Sequence, residues 1–275
     1  MALTDYVIMP SADYQAACNK LREKTGKTDL IKSGDMAKEI EEMSWINLLE
    51  FDDLAISILD GSITSITNDT ITVLPAYALA GCVNLTYAKF ENATIIGEYG
   101  FENDSALVTI ECPKVTSINS GMLGSNTFSG CTSLSKVELP LVETLGRYCF
   151  ENCTSLISIS LPSVTSIDSN VFQGCTALTS VDTSSLTSID SKAFSDCSAL
   201  NTLILRNTDA VCTNMSDKTF ENTPFAVGGT GGTVYVPEAL IESYKIAENW
   251  SILYDAGTCN FIAIEGSEYD GGEIV

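Results

Sequence analysis

The stretch VFQGCTALTSVDTSSLTSIDSKAFSDCSAL, from Val171 to Leu200, contains one pattern twice. The seven residues FQGCTAL, which begin at Phe172, return 22 residues later as FSDCSAL, which begin at Phe194. A cysteine that returns at a fixed interval of this length indicates an internal repeat rather than an isolated reactive site. The rest of the chain is therefore best searched for the same pattern.

The pattern extends in both directions along the chain. Its first large apolar residue, here called the anchor, is found at Leu79, Phe101, Phe128, Phe150, Phe172, Phe194 and Phe220. Three residues after the anchors come Cys82, Asp104, Cys131, Cys153, Cys175, Cys197 and Thr223. Six residues after the first six anchors come Leu85, Leu107, Leu134, Leu156, Leu178 and Leu200. This period and spacing predict a repeat solenoid of the leucine-rich-repeat class, with 22-residue coils and short parallel strands.

Stacking explains the repeated cysteines. One coil cannot bury its apolar face alone, so equivalent residues of successive coils must lie over one another. We therefore expect the cysteines to form an interior ladder of small, buried, free thiols. The chain has no histidine and no Cys-x-x-Cys pair, so we expect no zinc site, no other metal site and no cofactor.

The predicted strands also define a candidate binding surface. Side chains alternate along a strand, so in Leu134–Leu139 the side chains of Lys136 and Glu138 should face outward. Such a surface is typical of an extended binding sheet and equally of any solvated solenoid face. The candidate residues are Tyr87, Lys89, Thr109, Glu111, Lys136, Glu138, Ser158, Ser160, Ser180, Asp182, Thr202 and Ile204.

The charge balance limits the partners. The chain has 14 Lys and Arg against 36 Asp and Glu, a formal net charge of −22. A surface this acidic repels phosphate, so we expect no binding to nucleic acid or to anionic lipid. No apolar run approaches the roughly 18 residues that would cross a bilayer, so we expect no membrane insertion. The N-terminal residues lack a signal-peptide pattern, and export by the usual signal route is not expected.

The two ends of the chain depart from the repeat. Helical spacing predicts a small N-terminal helical module with Tyr14, Leu21, Met36, Ile40 and Met43 on its apolar faces. The 27-residue step carries an insertion, 119–124, and insertions in solenoids often mark the binding face. The predicted segments are an attachment module (1–45), a linker and capping coil (46–70), the solenoid (71–227), a strand-helix cap (228–254) and a loosely held acidic tail (255–275).

The repeat resembles a known family. The pattern Phe-x-Gly-Cys-Thr-x-Leu-x-x-Val-x-Leu-Pro, seen from Phe128, resembles the BspA-like leucine-rich repeats over roughly residues 60–254. The closing VYVPEALIESYKIAENW resembles the end-cap that often follows these repeats. The departures are Leu79, Asp104, and Ser184 and Arg206 where other coils have proline. The resemblance implies adhesion to a host surface or matrix.

A second resemblance concerns the N-terminus. The stretch DYVIMPSADYQAACNKLREKTGKTDLIKSGDMAKEIEEM is similar to a module of structural proteins from tailed phages and prophages. Such a module implies attachment to a virion protein through residues 1–45, with the repeats displayed outward. Phage fibres of this kind are commonly trimers, which makes a homotrimer possible.

Together these observations favour a phage virion structural protein, a tail or capsid fibre or receptor-binding accessory, located on the virion surface. Its solenoid would bind a bacterial surface glycan or protein. The alternatives are a BspA-like adhesin on the bacterial cell surface and a structural spacer or decoration protein that binds nothing. We expect no enzymatic activity, because without histidine no Ser-His or Cys-His nucleophile pair can form.

Overall fold

The computed structural model describes residues 62–118, 125–214, 216 and 218–272. The attachment module with Tyr14, Leu21, Met36, Ile40 and Met43, the linker before residue 62 and the insertion 119–124 lie outside the described residues. What is described is a solenoid of parallel strands with a strand-helix cap, as the sequence predicts. Within these ranges, no helix has the length and apolarity needed to span a membrane.

Each coil contributes one strand to the front of the solenoid and one to its back. The front strands are β1 (Ser65–Asn68), β3 (Tyr87–Phe90), β5 (Thr109–Glu111), β7 (Lys136–Glu138), β9 (Ser158–Ser160), β11 (Ser180–Thr183), β13 (Thr202–Leu205), β15 (Gly232–Val236) and β16 (Cys259–Ala263). They form a four-stranded sheet, β1-β3-β5-β7, and a five-stranded sheet, β9-β11-β13-β15-β16.

The back sheet is built from two-residue strands. These are β2 (Val73–Leu74), β4 (Ile95–Ile96), β6 (Ser117–Ile118), β8 (Thr144–Leu145), β10 (Ser166–Ile167), β12 (Ser188–Ile189) and β14 (Thr213–Asn214). All strand pairs are parallel. Ser117 pairs with Thr144 although 27 residues separate them, so the longer step leaves the register of the coils unchanged.

A ladder of phenylalanine rings fills the core. Successive rings from Phe101 to Phe220 stack with centroids 5.2–5.6 Å apart and interplanar angles of 2–18°. Where the anchor is Leu79, Phe90 supplies the ring that contacts Phe101, at 6.3 Å. At the other end Trp250 lies 5.6 Å from Phe220 and closes the ladder. Each coil thus covers the apolar surface that its neighbour could not bury alone.

The cysteines form the predicted interior ladder, and they have a hydrogen-bonding role as well. The thiols of Cys131, Cys175 and Cys197 each donate to the anchor phenylalanine carbonyl of the preceding coil, at 3.0 Å. The nine cysteines in the described ranges are free and buried. Burial raises the pKa of Cys112 to about 12, so such a thiol does not supply a thiolate near neutral pH.

Asp104 occupies a cysteine position of this ladder. Its Oδ1 accepts a hydrogen bond from the backbone N–H of Cys82 at 2.7 Å. Its Oδ2 is buried and has no hydrogen-bond partner among the described residues. Burial in the core disfavours the ionised form and raises the pKa of this carboxyl to about 8.

A tight turn follows each anchor. Gly81, Asn103, Gly130, Asn152 and Gly174 occupy the second position after it, all with φ between 57° and 78°. This left-handed region favours glycine and asparagine. The asparagine side chains lie over the glycines of the next coil: a Cβ on Gly174 would sit 2.3 Å from Asn152 Oδ1, whereas one on Gly81 would meet nothing within 4 Å.

The C-terminal cap is more elaborate than predicted. The single helix expected after β15 is a 3-10 turn, Glu238–Leu240, followed by α1 (Ile241–Ile246), and a second helix, α2 (Trp250–Asp255), comes next. Tyr244 and Trp250 are buried and hold the backbone of one residue on both sides: the Cys212 N–H donates to the Tyr244 hydroxyl at 2.9 Å, and Trp250 Nε1 donates to the Cys212 carbonyl at 2.7 Å.

The prediction of a loosely held tail over 255–275 is wrong for its described part. Residues Cys259–Ala263 form β16, which pairs in parallel with β15 and buries Cys259 and Phe261. In the sequence, only two inward side chains alternate along this strand. Such a short pattern does not stand out among the neighbouring acidic and glycine residues. Residues 264–272, here called the C-terminal strap, then fold back along the front of the solenoid, and Ile264 N–H donates to Val236 O at 2.9 Å.

We predict that Asp104 makes the fold less stable as pH rises. The native state favours the protonated carboxyl, so its full contribution is present below the unfolded pKa of about 4 and is lost as pH rises to about 8. Asp104→Asn removes the titration and keeps the shape. The measurement is the free energy of unfolding of both proteins from pH 4 to 9. The advantage of the variant should grow up to about pH 8 and then level off, and parallel curves would refute the assignment.

We also predict that Gly174→Ala costs more stability than Gly81→Ala. The two glycines have nearly the same φ, +74° and +78°, so the conformational cost of alanine is shared. Only Gly174 has the Asn152 side chain over it, and the clash should add about 1 kcal/mol or more. Urea denaturation gives both values. Equal losses would show that the asparagine moves aside freely.

Candidate binding surface

The front strands bring the predicted surface residues together in register. Tyr87, Thr109 and Lys136 form one row across β3, β5 and β7, and Lys89, Glu111 and Glu138 form the next. Ser158, Ser180 and Thr202 form the matching row across β9, β11 and β13. These side chains, with Ser160, are partly or fully exposed, and we call this exposed set the front face.

The front face has a charged part centred on Glu111. Lys136 Nζ lies 3.4 Å from Glu111 Oε1 and 2.8 Å from Glu138 Oε1. On the other side Lys89 Nζ lies 3.9 Å from Glu111 Oε2. The Tyr87 hydroxyl donates to Glu111 Oε2 at 3.1 Å, and desolvation together with this hydrogen bond raises the pKa of Tyr87. Ion pairs this exposed add little stability, so the network chiefly fixes the positions of charges at the surface.

A second part of the front face carries hydroxyl groups. Ser158, Ser160, Ser180 and Thr202 line β9, β11 and β13 and are partly exposed. A hydroxyl carries one donor and two acceptor lone pairs, and the Thr202 hydroxyl uses its donor on Asn201 Oδ1 at 2.8 Å. The surface therefore changes along the solenoid from a charged region to a polar, uncharged region.

Two of the predicted surface residues are not exposed. Asp182 and Ile204 point outward from β11 and β13, yet they are 1% and 0% exposed. Arg206 binds Asp182 with two hydrogen bonds, of 2.7 Å from Nε and 2.9 Å from Nη2. The prediction that these two residues belong to an open surface is wrong, because the C-terminal strap lies over this end of the sheet.

Arg206 also holds the strap. Its Nη1 donates to the Tyr269 carbonyl at 2.8 Å, and its Nη2 donates to the Gly272 carbonyl. The Tyr269 ring packs edge-on against Tyr235 of β15, with centroids 4.6 Å apart. The sequence carried one signal of this arrangement, since Arg206 stands where other coils have proline. Tyr235 and Tyr269 carried none.

The front face combines charged and hydroxyl-bearing side chains. Within the described ranges, no three histidine, cysteine or acidic side chains are placed to hold a metal ion. The front face consists of the Tyr87 ring, serine and threonine hydroxyls, two lysines and two glutamates. Its geometry suits recognition of a partner over several strands.

The fold is that of a repeat protein whose coils follow the leucine-rich pattern. The chain matches the model of the BspA type leucine rich repeat region, in six copies, over residues 59–125 and 121–227. The protein therefore belongs to the family of BspA type leucine-rich repeat proteins. No curated protein matches the chain.

Two solved structures are similar to part of the chain. A leucine-rich repeat protein from Bacteroides ovatus ATCC 8483 is 25% identical, with a TM-score of 0.47, over 64% of this chain and 52% of that one. A leucine rich cell surface protein from Faecalibacterium prausnitzii A2-165 is 22% identical, with a TM-score of 0.39, over 50% of this chain and 44% of that one. The chain thus spans about half the length of these two structures.

We predict that Arg206→Met destabilises the protein by about 3 kcal/mol, because it leaves the Asp182 carboxylate buried without its cation. The double variant with Asp182→Asn should recover much of this loss. Chemical denaturation gives the unfolding free energies, and chymotrypsin cleavage after Tyr269 should be faster in Arg206→Met. If the single and double variants lose the same stability, the pair does not act as a unit.

Proposed function

We propose that this protein is a non-enzymatic adhesion protein that binds a bacterial surface glycan or protein through its front face. The single observation that carries the proposal is the exposed network around Glu111, in which Tyr87, Lys89, Lys136 and Glu138 are held at set positions. Membership of the BspA type family supports it. The strap limits the open surface to the part that runs from β3 to β9, with Ser180 and Thr202 at its margin.

The chemistry of the front face favours a polar partner. Serine and threonine hydroxyls exchange hydrogen bonds with sugar hydroxyls or with a polypeptide backbone. The paired lysines and glutamates supply both signs of charge, which fixes the orientation of a partner more than its affinity. The net charge of −22 disfavours a nucleic acid or an anionic lipid surface.

The particle or cell that displays the solenoid is a separate part of the proposal. The resemblance of residues 1–45 to a phage structural module favours display on a virion, with the bacterial cell surface as the alternative. In either case residues 1–45 attach the protein and the repeats face outward, as a single chain or as a homotrimer. A spacer that binds nothing is the third candidate.

The binding test uses the full chain coupled to fluorescent beads and incubated with a panel of Gram-positive and Gram-negative bacterial cells. Lys89→Ala with Lys136→Ala removes the two cations of the front face. The matched control, Lys114→Ala with Lys218→Ala, removes two exposed cations that lie outside the front strands. We expect the front variant to reduce adhesion at least tenfold and the control less than twofold. Equal losses would place the binding surface elsewhere, and beads that never adhere would favour the spacer.

The location of the protein is tested by immunogold electron microscopy of phage particles and of uninfected cells, with antibody against the full chain. Gold on the tail or capsid supports the virion assignment. Gold on uninfected cells beside unlabelled particles would contradict it and establish the cell-surface adhesin.

A further inference from the structure

The row of outward side chains at the C-terminal end of the front sheet is apolar. Ile204 of β13 lies beside Tyr235 of β15, and Tyr235 lies beside Ile262 of β16. In the same row, β11 has Asp182 and β9 has Ser160. We call Ile204, Tyr235 and Ile262 the apolar row; Ile204 is 0% exposed and Ile262 is 38% exposed. The apolar row differs chemically from the front face, whose outward side chains are charged or carry hydroxyl groups.

The C-terminal strap lies against this row and against the arginine beside it. The Tyr269 ring of the strap packs edge-on against Tyr235, with ring centroids 4.6 Å apart. Arg206 Nη1 donates to the Tyr269 carbonyl at 2.8 Å, and Arg206 Nη2 donates to the Gly272 carbonyl. The strap thus demonstrates what this surface can hold, which is a short polypeptide segment with one aromatic ring and two backbone carbonyls.

The strap buries little of its own surface. Within residues 264–272 only Ile264 is buried, Ser267 and Tyr269 are partly exposed, and the other residues are exposed. A segment with few buried apolar contacts opens at a low cost in free energy. Gly266 and Gly271 lower this cost further, because glycine gains more conformational freedom on release than any other residue. The strap can therefore open beyond Ile264 while β16 stays paired with β15.

The charge of the strap does not favour its position. The strap carries Glu265, Glu268 and Asp270 and no basic residue, on a protein with a formal net charge of −22. The charge of Arg206 is already balanced by Asp182, at 2.7 Å, so the strap carboxylates gain little from it. A segment that makes the same contacts without these acidic residues meets less repulsion from the protein.

We propose that the apolar row is a second binding surface, which the strap covers until a segment of a partner protein replaces it. The partner segment is neutral or basic and carries an aromatic residue. Its ring packs against Tyr235, and its backbone carbonyls accept the hydrogen bonds of Arg206. Tyrosine and arginine are among the side chains that contribute most to binding at protein interfaces. This surface lies apart from the charged part of the front face, so the proposal goes beyond the front-face function and does not depend on it.

The test measures binding of a fluorescent peptide to the full chain by fluorescence polarisation. The probe has the sequence of residues 264–272 with blocked ends, and Glu265→Gln, Glu268→Gln and Asp270→Asn remove its charges. In the unmodified protein the strap competes with the probe at a high effective concentration. Tyr269→Ala in the protein removes the ring that holds the strap on Tyr235. We expect this variant to bind the probe at least tenfold more tightly than the unmodified protein does.

Two further variants, each combined with Tyr269→Ala, locate the bound probe. Tyr235→Ser introduces the residue that β9 has in this row, Ser160, so the coil is retained. Ile246→Ser is the matched control, since it removes an apolar side chain that is 83% exposed and lies in α1, outside the front strands. We expect Tyr235→Ser to weaken binding of the probe at least tenfold and Ile246→Ser less than twofold. A second probe, with alanine in place of its tyrosine, should also bind at least tenfold more weakly.

Three results would overturn this proposal. They are that the probe does not bind Tyr269→Ala at millimolar concentration, that it binds the unmodified protein equally well, and that Tyr235→Ser and Ile246→Ser have equal effects. The Lys89→Ala, Lys136→Ala variant separates this surface from the front face, since it should leave binding of the probe unchanged. Loss of the probe in that lysine variant would assign the peptide to the front face instead.

Discussion

The contact on which the whole structure depends is the stacking of one coil upon the next. A 22-residue coil has too little interior to bury its own apolar side chains, so its phenylalanine must lie against the phenylalanine of the neighbouring coil. The cysteine beneath it adds a hydrogen bond to the carbonyl of the preceding anchor. Ring stacking and thiol hydrogen bonding run in the same direction along the solenoid, and together they leave each coil only one register.

This constraint explains why so much of the fold could be predicted from the sequence. Residues that face the interior must repeat, so the anchors and the cysteine ladder stand out by their spacing alone. The alternation of the strands then places Tyr87, Lys136 and Ser158 outside, where the structure has them. Family membership and the coil architecture followed from these few positions.

The predictions from the sequence are wrong where a contact occurs in one coil and is not repeated in the others. Asp182 and Ile204 occupy outward positions like their equivalents, but Arg206 and the strap cover them through contacts that no other coil repeats. Periodicity carries no information about such a contact, because its partners are 63 residues apart in the chain. β16 escaped prediction for the same reason, since a single five-residue strand has no second copy to support it.

Because stacking involves the interior side chains, the surface positions of the solenoid can vary independently of one another. Stacking fixes the interior of every coil, so an outward residue can change without moving the fold. In the front sheet, Glu111 of β5 lies beside Glu138 of β7 across the 27-residue step.

That step keeps the strand register of the shorter ones, so its additional residues serve no need of the stacked core. The charged network around Glu111 lies beside the longest step between two anchors of the solenoid. The strands β9, β11 and β13 carry mostly serine and threonine at the outward positions. The proposed front-face site therefore lies next to a departure from the repeat, where the core places the fewest demands on the chain.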